Sequence, residues 1–383
     1  MRLALVLDRF DPDRGGLEHW AWQWTTWLLD HGHEVDVVAA EAASTPPRPG
    51  LSLHRLGGPA GGDGTRTMFA ERVAAALPRL DADVIHDLGV GWHCDILQPQ
   101  FGTRLADDRR NLASMPLGRR LGARLSWRRR RRLADIRRLE RRQYAPDGPL
   151  VVAVSRMTHA DLSAAHGIPP DRIEVIHNGV DVERFAPPPA DVRAAARGRF
   201  ALGAAVTLVF VGHNFRLKGL DTVLRAMARL RSRDLGLLVV GRGPIESATR
   251  LAASLGIAER VRFAGWVGDV RAAYAAADAF VQPTFYDPCS LTALEAAASG
   301  LPVLTTRFNG AAELFRHGES AWVLAESTDD RAAASAIESW TDPRARLRMG
   351  AAARMVAEAA AHERCFSRLF AVCSRVGRTR RAA

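Results

Sequence analysis

Strand-like apolar runs alternate with helical patterns along the whole chain, and this alternation restricts the fold more than any other feature of the sequence. The first series of runs is Leu3–Leu7, Val35–Ala39, Val84–His86, Val151–Ser155 and Ile173–Ile176. The second series is Thr207–Gly212, Leu235–Gly241, Val261–Ala264, Ala279–Gln282 and Pro302–Thr305. Helical patterns lie near Leu17–His31 and Leu220–Arg231, directly after the first run of each series. Such alternation predicts an α/β protein with parallel sheets covered by helices.

A proline- and alanine-rich stretch, Phe185–Ala205, separates the two series. We predict a domain boundary there, with one doubly wound, Rossmann-like domain over residues 1–185 and a second over residues 186–383. One or two closing helices are expected over residues 343–375. Two such domains would face each other across a cleft, and ligands would bind at the carboxyl ends of their strands.

The composition of the 383 residues excludes several protein classes. An apolar fraction of 47% and a charged fraction of 25% are ordinary for a globular chain and exclude wholesale disorder. No apolar run reaches the ~18 residues of a membrane span. The apolar N-terminal run meets Asp8 too early for a signal peptide, so we expect a cytoplasmic protein. Four cysteines without C-x-x-C spacing predict neither a zinc site nor a disulfide framework.

Positive charge is concentrated in one segment, residues 117–144. The net charge is +11, and 12 arginines lie between Arg119 and Arg142 with only two acids among them. The segment also carries apolar side chains at helical spacing, namely Leu117, Leu121, Leu125, Trp127, Leu133, Ile136 and Leu139. This pattern predicts a basic amphipathic helix. We expect it to contact an anionic membrane surface, with the run Arg128, Arg129, Arg130, Arg131 and Arg132 as the contact residues.

The basic segment has three other interpretations. It is also compatible with a solvated surface helix or with a surface that contacts a phosphorylated acceptor. Nucleic acid is disfavoured, because no groove-reading module or aromatic platform accompanies the charge.

A glycine-flanked loop with two cations follows the first strand of the second series. It reads Gly212-His213-Asn214-Phe215-Arg216-Leu217-Lys218-Gly219. Lys218 is the only lysine among 53 basic residues, which suggests that a compact ammonium is needed there. Arg216 and Lys218 suit a diphosphate and would stabilise the charge that develops as a phosphate leaves.

Two carboxylates and a helix N-terminus follow the run Ala279–Gln282. Asp287 lies in a loop, and Glu295 comes eight residues later in the helix that starts near Leu291. Carboxylates accept hydrogen bonds from sugar hydroxyls, whereas amides at a helix N-terminus suit phosphate oxygens. The amides expected to do so are those of Cys289, Ser290 and Leu291. In the first domain, the pair Gly15-Gly16 opens a helix and also allows close approach of an anion.

These motifs, in this order, resemble those of retaining nucleotide-sugar-dependent glycosyltransferases with the GT-B fold, of the glycosyltransferase family 4 type. The segment DPCSLTALEAAASGLPVLTT holds the most specific of them, an acid followed eight residues later by Glu. The resemblance extends over nearly the whole chain through VVGRGP at 239–244, HNGVDVERF at 177–185 and the Gly15-Gly16 pair. Within the family the chain is most similar to lipopolysaccharide core glucosyltransferases of type I, which are peripheral inner-membrane enzymes.

The resemblance implies roles for individual residues. Asp287 would contact the donor sugar, Glu295 the ribose and Lys218 the diphosphate, near which Gly15 and Gly16 would also lie. A histidine on an N-domain strand often joins the catalytic centre, and His86 is the candidate here, with Lys218 and Asp287 as the other catalytic residues. Two departures affect these roles: Asp287 replaces the usual Glu, and His213 stands where many members have a phosphate-loop arginine. Either His213 or Arg216 would take that arginine's role.

The function expected from the resemblance is metal-independent, retaining transfer of a hexose from a nucleotide diphosphate sugar to a glycan or glycolipid. UDP-glucose is the expected donor and lipopolysaccharide core the expected acceptor, with no cofactor. A GDP-mannose-dependent mannosyltransferase and a sugar-nucleotide epimerase on the same scaffold are the alternatives. A degenerate, non-enzymatic scaffold is disfavoured, because Lys218 and both acids are present. We expect peripheral attachment to the inner face of the cell membrane.

Overall fold

The computed structural model describes residues 1–43, 47–58, 65–203, 205–230 and 234–382, and these form two compact units. Unit 1 comprises Met1–Leu112, Pro116–Ile176 and the described residues from Cys365 onward. Unit 2 comprises Ala113–Met115 and His177–Arg364.

Unit 1 is built on a parallel sheet of seven strands. The strands are β1 (Arg2–Phe10), β2 (Glu34–Ala42), β3 (Leu51–Arg55), β4 (Val84–Asp87), β5 (Ile96–Leu97), β6 (Leu150–Ala153) and β7 (Ile173–Val175). Their order is β3-β2-β1-β4-β5-β6-β7, with Leu3 of β1 opposite Val35 of β2 and Val84 of β4. The order reverses between β1 and β4, which is the position where open α/β sheets bind ligands.

Six helices accompany this sheet. They are α1 (Gly16–Asp30), α2 (Arg66–Ala76), α3 (Arg104–Ala113), α4 (Leu117–Leu125), α5 (Trp127–Gln143) and α6 (Arg156–His166). Residues Leu3–Leu7 of β1 are fully buried, because helices cover both faces of the central strands. That burial is the physical reason why these strands are continuous apolar runs.

Unit 2 repeats the architecture with six parallel strands. They are β8 (Val206–Val211), β9 (Leu235–Val240), β10 (Val261–Gly265), β11 (Ala279–Val281), β12 (Val303–Thr306) and β13 (Ala321–Leu324), in the order β10-β9-β8-β11-β12-β13. The helices are α7 (Ala190–Arg199), α8 (Leu220–Arg229), α9 (Ile245–Ser254), α10 (Arg271–Ala276), α11 (Leu291–Ala298), α12 (Asp330–Ser339) and α13 (Pro343–Ala359). A further helix, α14 (His362–Ala382), starts in unit 2 and belongs to unit 1 from Cys365 onward.

The predicted fold class, with two doubly wound α/β sheets, is confirmed. Strands β3, β5 and β13 were not predicted. β5 has only two residues, and edge strand β3 has no continuous apolar run because its side chains are only partly buried. The predicted helix over Leu220–Arg231 corresponds to α8, while its last residue, Arg231, lies outside the described residues.

The C-terminal helix α14 packs on α1 within unit 1. Trp20, Trp24 and Trp27 lie on one face of α1, and each ring contacts Phe366 at centroid distances of 5.8, 5.2 and 6.3 Å. Trp20 and Trp24 are buried. The tryptophan stripe is therefore part of the core between two helices.

The basic segment forms two helices instead of one. α4 ends at Leu125, and Ser126 caps the start of α5 by accepting a hydrogen bond from the backbone N–H of Arg129 at 3.4 Å. Because Ser126 has an extended backbone and its side chain caps a free N–H of α5, it favours the start of a new helix over the continuation of α4. The apolar positions predicted for one helix are thus divided between two.

Candidate functional site

Three loops of unit 2 approach one another at the carboxyl end of its sheet. A Cβ on Gly241, after β9, would lie 2.0 Å from the carbonyl oxygen of Gly212, after β8. A Cβ on Gly219 would lie 2.1 Å from the carbonyl oxygen of Pro283, after β11. Both Gly219 and Gly241 also have positive φ angles, of +83° and +129°. Glycine at these positions is what brings the three loops together.

This approach brings the lysine and the first motif acid into contact. Lys218 Nζ lies 2.5 Å from Asp287 Oδ2, and both side chains are largely buried. The backbone of Asp287 is fixed by its N–H, which donates to Phe308, and by its carbonyl, which accepts from Gly310. Lys218 and Asp287, which were selected from two separate motifs, therefore form one charged cluster in unit 2.

Asn309 organises the start of α11 and was missed by the sequence analysis. Its Oδ1 accepts from the N–H of Ser290 at 3.1 Å and from the N–H of Ala311 at 3.0 Å, and its amide donates to Thr305. The predicted phosphate-binding amide of Ser290 is thus already hydrogen-bonded. The Asn-Gly dipeptide shortly after β12 was the available sequence signal.

The other two residues of the predicted amide group lie beside Ser290. Cys289 is buried, and its carbonyl accepts from the side-chain amide of Asn178, in the HNG segment. Leu291 is the first residue of α11 and is partly buried. The Ser290 hydroxyl caps α11 by accepting from the N–H of Ala293. The motif therefore places a capped helix N-terminus next to Asp287.

Glu295 lies on α11 and is partly buried. Its Oε2 accepts from the hydroxyl of Tyr274 at 2.9 Å. Burial raises the pKa of Glu295 to about 7, against the lowering effects of the Tyr274 hydrogen bond and the charge of Arg184. Tyr274 was not identified from sequence, because its position on α10 is typical of any buried aromatic residue.

His213 is held as a neutral ring beside Lys218. Its Nδ1 accepts from the backbone N–H of Arg242 at 3.1 Å, which leaves the proton on Nε2. Desolvation lowers the pKa of His213, and the charges of Arg242 and Lys218 lower it further. A neutral imidazole supplies a hydrogen-bond donor but no charge, so Arg216 is the better candidate for the family arginine's role.

The residues predicted in unit 1 lie around β1 and β4. Gly15 precedes α1 in an extended conformation, and Gly16 is the exposed first residue of that helix. His86, on β4, has no exposed surface and lies 3.0 Å from Gln98 Oε1. Burial lowers the pKa of His86 to about 4, so the ring is neutral. The catalytic role that the resemblance implies for His86 stays a prediction.

The five arginines at the start of α5, Arg128–Arg132, make different kinds of contact. Arg129 and Arg132 form ion pairs with the buried carboxylate of Asp108, on α3. Arg128 lies over the ring of Trp127 at 5.8 Å, and Arg130 and Arg131 are exposed. Two of the five predicted membrane-contact residues, Arg129 and Arg132, are therefore already paired with a carboxylate of unit 1.

Within the described ranges, no cluster of three or more His, Cys, Asp or Glu side chains is arranged to hold a metal ion. None of the described helices combines the length and apolarity that a membrane crossing requires.

Comparisons with known proteins identify the family. The profile of Glycosyltransferase Family 4 matches residues 14–184, and that of Glycosyl transferases group 1 matches residues 205–342. A GDP-mannose-dependent alpha-(1-6)-phosphatidylinositol monomannoside mannosyltransferase of Mycolicibacterium smegmatis is 31% identical over 92% of both chains. A D-inositol 3-phosphate glycosyltransferase of Salinispora tropica is 30% identical over 78% of this chain and 68% of its own.

A solved structure supports the fold. WaaG, a glycosyltransferase involved in lipopolysaccharide biosynthesis, superposes with a TM-score of 0.79, covering 97% of this chain and 99% of its own at 21% identity. The two Rossmann-like units, the motif residues and the matching profiles lead to one conclusion. This chain belongs to glycosyltransferase family 4 and is a retaining hexosyltransferase with the GT-B fold.

Proposed function

We propose that this enzyme transfers mannose from GDP-mannose to an inositol-containing glycolipid. The observation that carries the proposal is the 31% identity to the mycobacterial mannosyltransferase over 92% of both chains. The GDP-mannose alternative of the sequence analysis is therefore preferred over UDP-glucose and lipopolysaccharide core. For the latter pair the support is a likeness of fold at 21% identity. The epimerase alternative loses its basis, since the family transfers glycosyl groups.

The proposed chemistry uses the charged cluster of unit 2. As the bond between the anomeric carbon and the diphosphate oxygen breaks, the acceptor oxygen bonds to the same face of the sugar. The acceptor proton passes to the leaving diphosphate, and negative charge grows on GDP. Lys218 and Arg216 are the cations proposed to stabilise that charge, and Asp287 is proposed to accept from sugar hydroxyls. The 2.5 Å contact between Lys218 and Asp287 supports a shared role.

Glu295 is proposed to accept hydrogen bonds from the ribose. The Tyr274 hydroxyl occupies Oε2, so the other carboxylate oxygen is the one proposed for the ribose. Because the pKa of Glu295 is about 7, the carboxyl group is partly protonated at neutral pH before the donor binds. Ribose hydroxyls that donate to it would favour the ionised form.

The enzyme is also proposed to act at a membrane surface, through α4. No residue of α4 is buried, and Leu117, Leu121 and Leu125 are 74%, 61% and 72% exposed. Trp127, at the start of α5, is 65% exposed. Arginines on both helices surround this apolar face, which makes it complementary to anionic lipid. The proposal moves the main contact from the arginine run to the leucines of α4.

A donor screen followed by a transfer assay tests the function. GDP-mannose, UDP-glucose, UDP-GlcNAc and ADP-heptose are compared by thermal shift and hydrolysis, without added metal. GDP-mannose at 100 times its Kd is expected to stabilise the protein by about 2.7 kcal/mol. Labelled mannose should then appear in phosphatidylinositol-containing vesicles. Binding and hydrolysis of UDP-glucose instead of GDP-mannose would overturn the proposed donor, and transfer to lipopolysaccharide core alone would overturn the acceptor.

A further inference from the structure

The connection between α3 and α4 contributes a short segment to unit 2. α3 ends at Ala113 and α4 begins at Leu117. Both helices otherwise belong to unit 1, whereas Ala113–Met115 belongs to unit 2. A segment of three residues cannot form a core of its own, so its contribution to unit 2 consists of individual contacts. One of these contacts, made by Ser114, reaches the loop Gly212–Gly219.

Ser114 contacts one of the two cations of that loop. Arg216 Nε donates to Ser114 Oγ at 3.1 Å, across 102 positions of sequence. Both residues are partly buried. A hydroxyl group has no charge, so this hydrogen bond orients the guanidinium without neutralising it. Because the guanidinium is planar, a hydrogen bond at Nε also restrains the direction of its two terminal Nη groups.

The backbone on either side of Arg216 is already fixed within unit 2. Phe215 and Leu217 are buried. The carbonyl of Arg216 accepts from the N–H of Gly219 at 3.1 Å, which closes a turn around the residue. The remaining freedom at this position is therefore in the long side chain of Arg216, which has many rotamers. The hydrogen bond to Ser114 favours one orientation among them.

The two cations of the loop are thus oriented by groups of different charge. Lys218 Nζ lies 2.5 Å from the carboxylate of Asp287, which offsets its charge. The contact of Arg216 with Ser114 is to a neutral oxygen and leaves the positive charge undiminished. A cation that is oriented in advance stabilises a developing negative charge well, because it needs no reorganisation during the reaction.

We propose that Ser114 is a positioning residue for Arg216 and holds its guanidinium in the orientation that stabilises the leaving diphosphate. This role rests on the proposed function, since it takes Arg216 as one of the cations at the diphosphate. Ser114 acts through Arg216 and does not itself contact the donor. The donor site of unit 2 is then completed by a residue from the connection between two helices of unit 1.

Donor hydrolysis with a matched control tests the role of Ser114. Wild type, Ser114→Ala and Ser254→Ala are assayed with GDP-mannose, without added metal. Ser254 is exposed on α9 and donates to the carbonyl of Leu251 at 2.8 Å, so the control loses a hydroxyl hydrogen bond elsewhere in unit 2. We expect Ser114→Ala to lower kcat about tenfold and to change KM less than about twofold, because the charge develops only as the bond breaks. Equal kcat values for the two variants would overturn the proposal.

A double-mutant cycle shows whether Ser114 acts through Arg216. Ser114→Ala is introduced into wild type and into Arg216→Ala. Once the guanidinium is absent, loss of the hydroxyl should change kcat less than about twofold. An equal loss in both backgrounds would contradict the proposed route. Ser114→Thr keeps a hydroxyl and should recover most of the kcat that Ser114→Ala loses, and a threonine variant as slow as the alanine variant would also count against it.

The proposed donor can fail separately. If wild type hydrolyses UDP-glucose and not GDP-mannose, the proposed donor is wrong, but the same comparison with UDP-glucose still tests Ser114, because both donors carry a diphosphate. If neither is hydrolysed, calorimetric titration with GDP and UDP replaces the assay, since these products carry the charge that develops on the leaving group. Ser114→Ala should then weaken binding and Ser254→Ala should not. Equal affinities, or no binding to wild type, would overturn the positioning role.

Discussion

At the scale of single residues, Lys218 combines an unusual residue choice with an unusual position. The chain uses arginine at every other basic position apart from histidine, yet an ammonium lies 2.5 Å from Asp287. Gly212 lies against the aliphatic part of the Lys218 side chain. Because glycine has no Cβ, the lysine has room to reach Asp287. A guanidinium is wider and planar, so it would not reproduce this geometry.

Replacement of Lys218 should therefore reduce turnover more than donor binding. For Lys218→Ala we expect a loss of kcat of about 10²–10³-fold, or ~2.7–4 kcal/mol, as for other groups that stabilise a developing negative charge. Lys218→Arg should recover only part of that loss. The control is Arg225→Ala, at an exposed position of α8. A Lys218→Ala enzyme with unchanged kcat would contradict the assigned role.

Glu295 predicts a pH dependence of stability. Its pKa is about 7 in the folded protein but about 4.3 in an unfolded chain. Between these values the folded state binds more protons, so the free energy of unfolding falls as pH rises through this window. From pH 5 to pH 8, wild type should lose on the order of 1–2 kcal/mol more than Glu295→Gln, allowing for partial solvent access. Denaturant titrations at both pH values measure this difference, and parallel losses would rule it out.

At the scale of elements, the break at Ser126 determines which apolar side chains of the basic segment are exposed and which are buried. α4 is left with an apolar face and no buried residue, while α5 contributes Leu133, Ile136 and Leu139 to the interior. One continuous helix would place both sets of leucines along a single stripe. The division therefore assigns core packing to α5 and the exposed apolar surface to α4.

The α4 face should control vesicle binding. The double variant Leu121→Glu/Leu125→Glu places two acids on that face and removes its apolar contact with lipid. We expect at least about a tenfold loss of affinity for anionic vesicles, since burial of one leucine contributes ~1.5–3 kcal/mol. Hydrolysis of soluble donor should be unchanged. The double variant Arg130→Gln/Arg131→Gln should have a smaller effect, and a larger one would return the main contact to the arginine run.

At the scale of the whole molecule, the chain returns to its first unit at its end. α13 belongs to unit 2, whereas α14 runs from unit 2 into unit 1 and packs on α1. Residues more than 330 positions apart in sequence thus share one core, as the contact of Phe366 with Trp24 illustrates. Unit 1 therefore combines residues from the N-terminal and C-terminal parts of the sequence.

Truncation of Phe366 should destabilise unit 1. Its side chain is 2% exposed and contacts three tryptophan rings, so Phe366→Ala should cost ~3–5 kcal/mol. Tryptophan fluorescence during denaturant unfolding reports on this core. Arg364→Ala, at an exposed position of the same helix, should leave the transition in place. Equal midpoints for the two variants would show that α14 contributes little to the core.

The sequence by itself determined the fold class and most of the strands, and it was enough to select the residues proposed to bind the donor. Central strands buried on both faces must be apolar runs, and glycines mark the loops that approach each other. Both signals are local, which is why Lys218, Asp287 and Glu295 could be selected from spacing and resemblance. The short strand β5 and the edge strand β3 lack these signals.

Tertiary structure alone decided which distant residues meet. The burial of His86 and the hydrogen bonds that Tyr274 and Asn309 make with Glu295 and Ser290 depend on contacts that no local pattern encodes. The position of α14 was also decided by tertiary structure, because its sequence pattern does not show which unit its apolar face packs on. Local periodicity in the sequence indicates which face of an element is buried. Only the tertiary structure shows which other element covers that face.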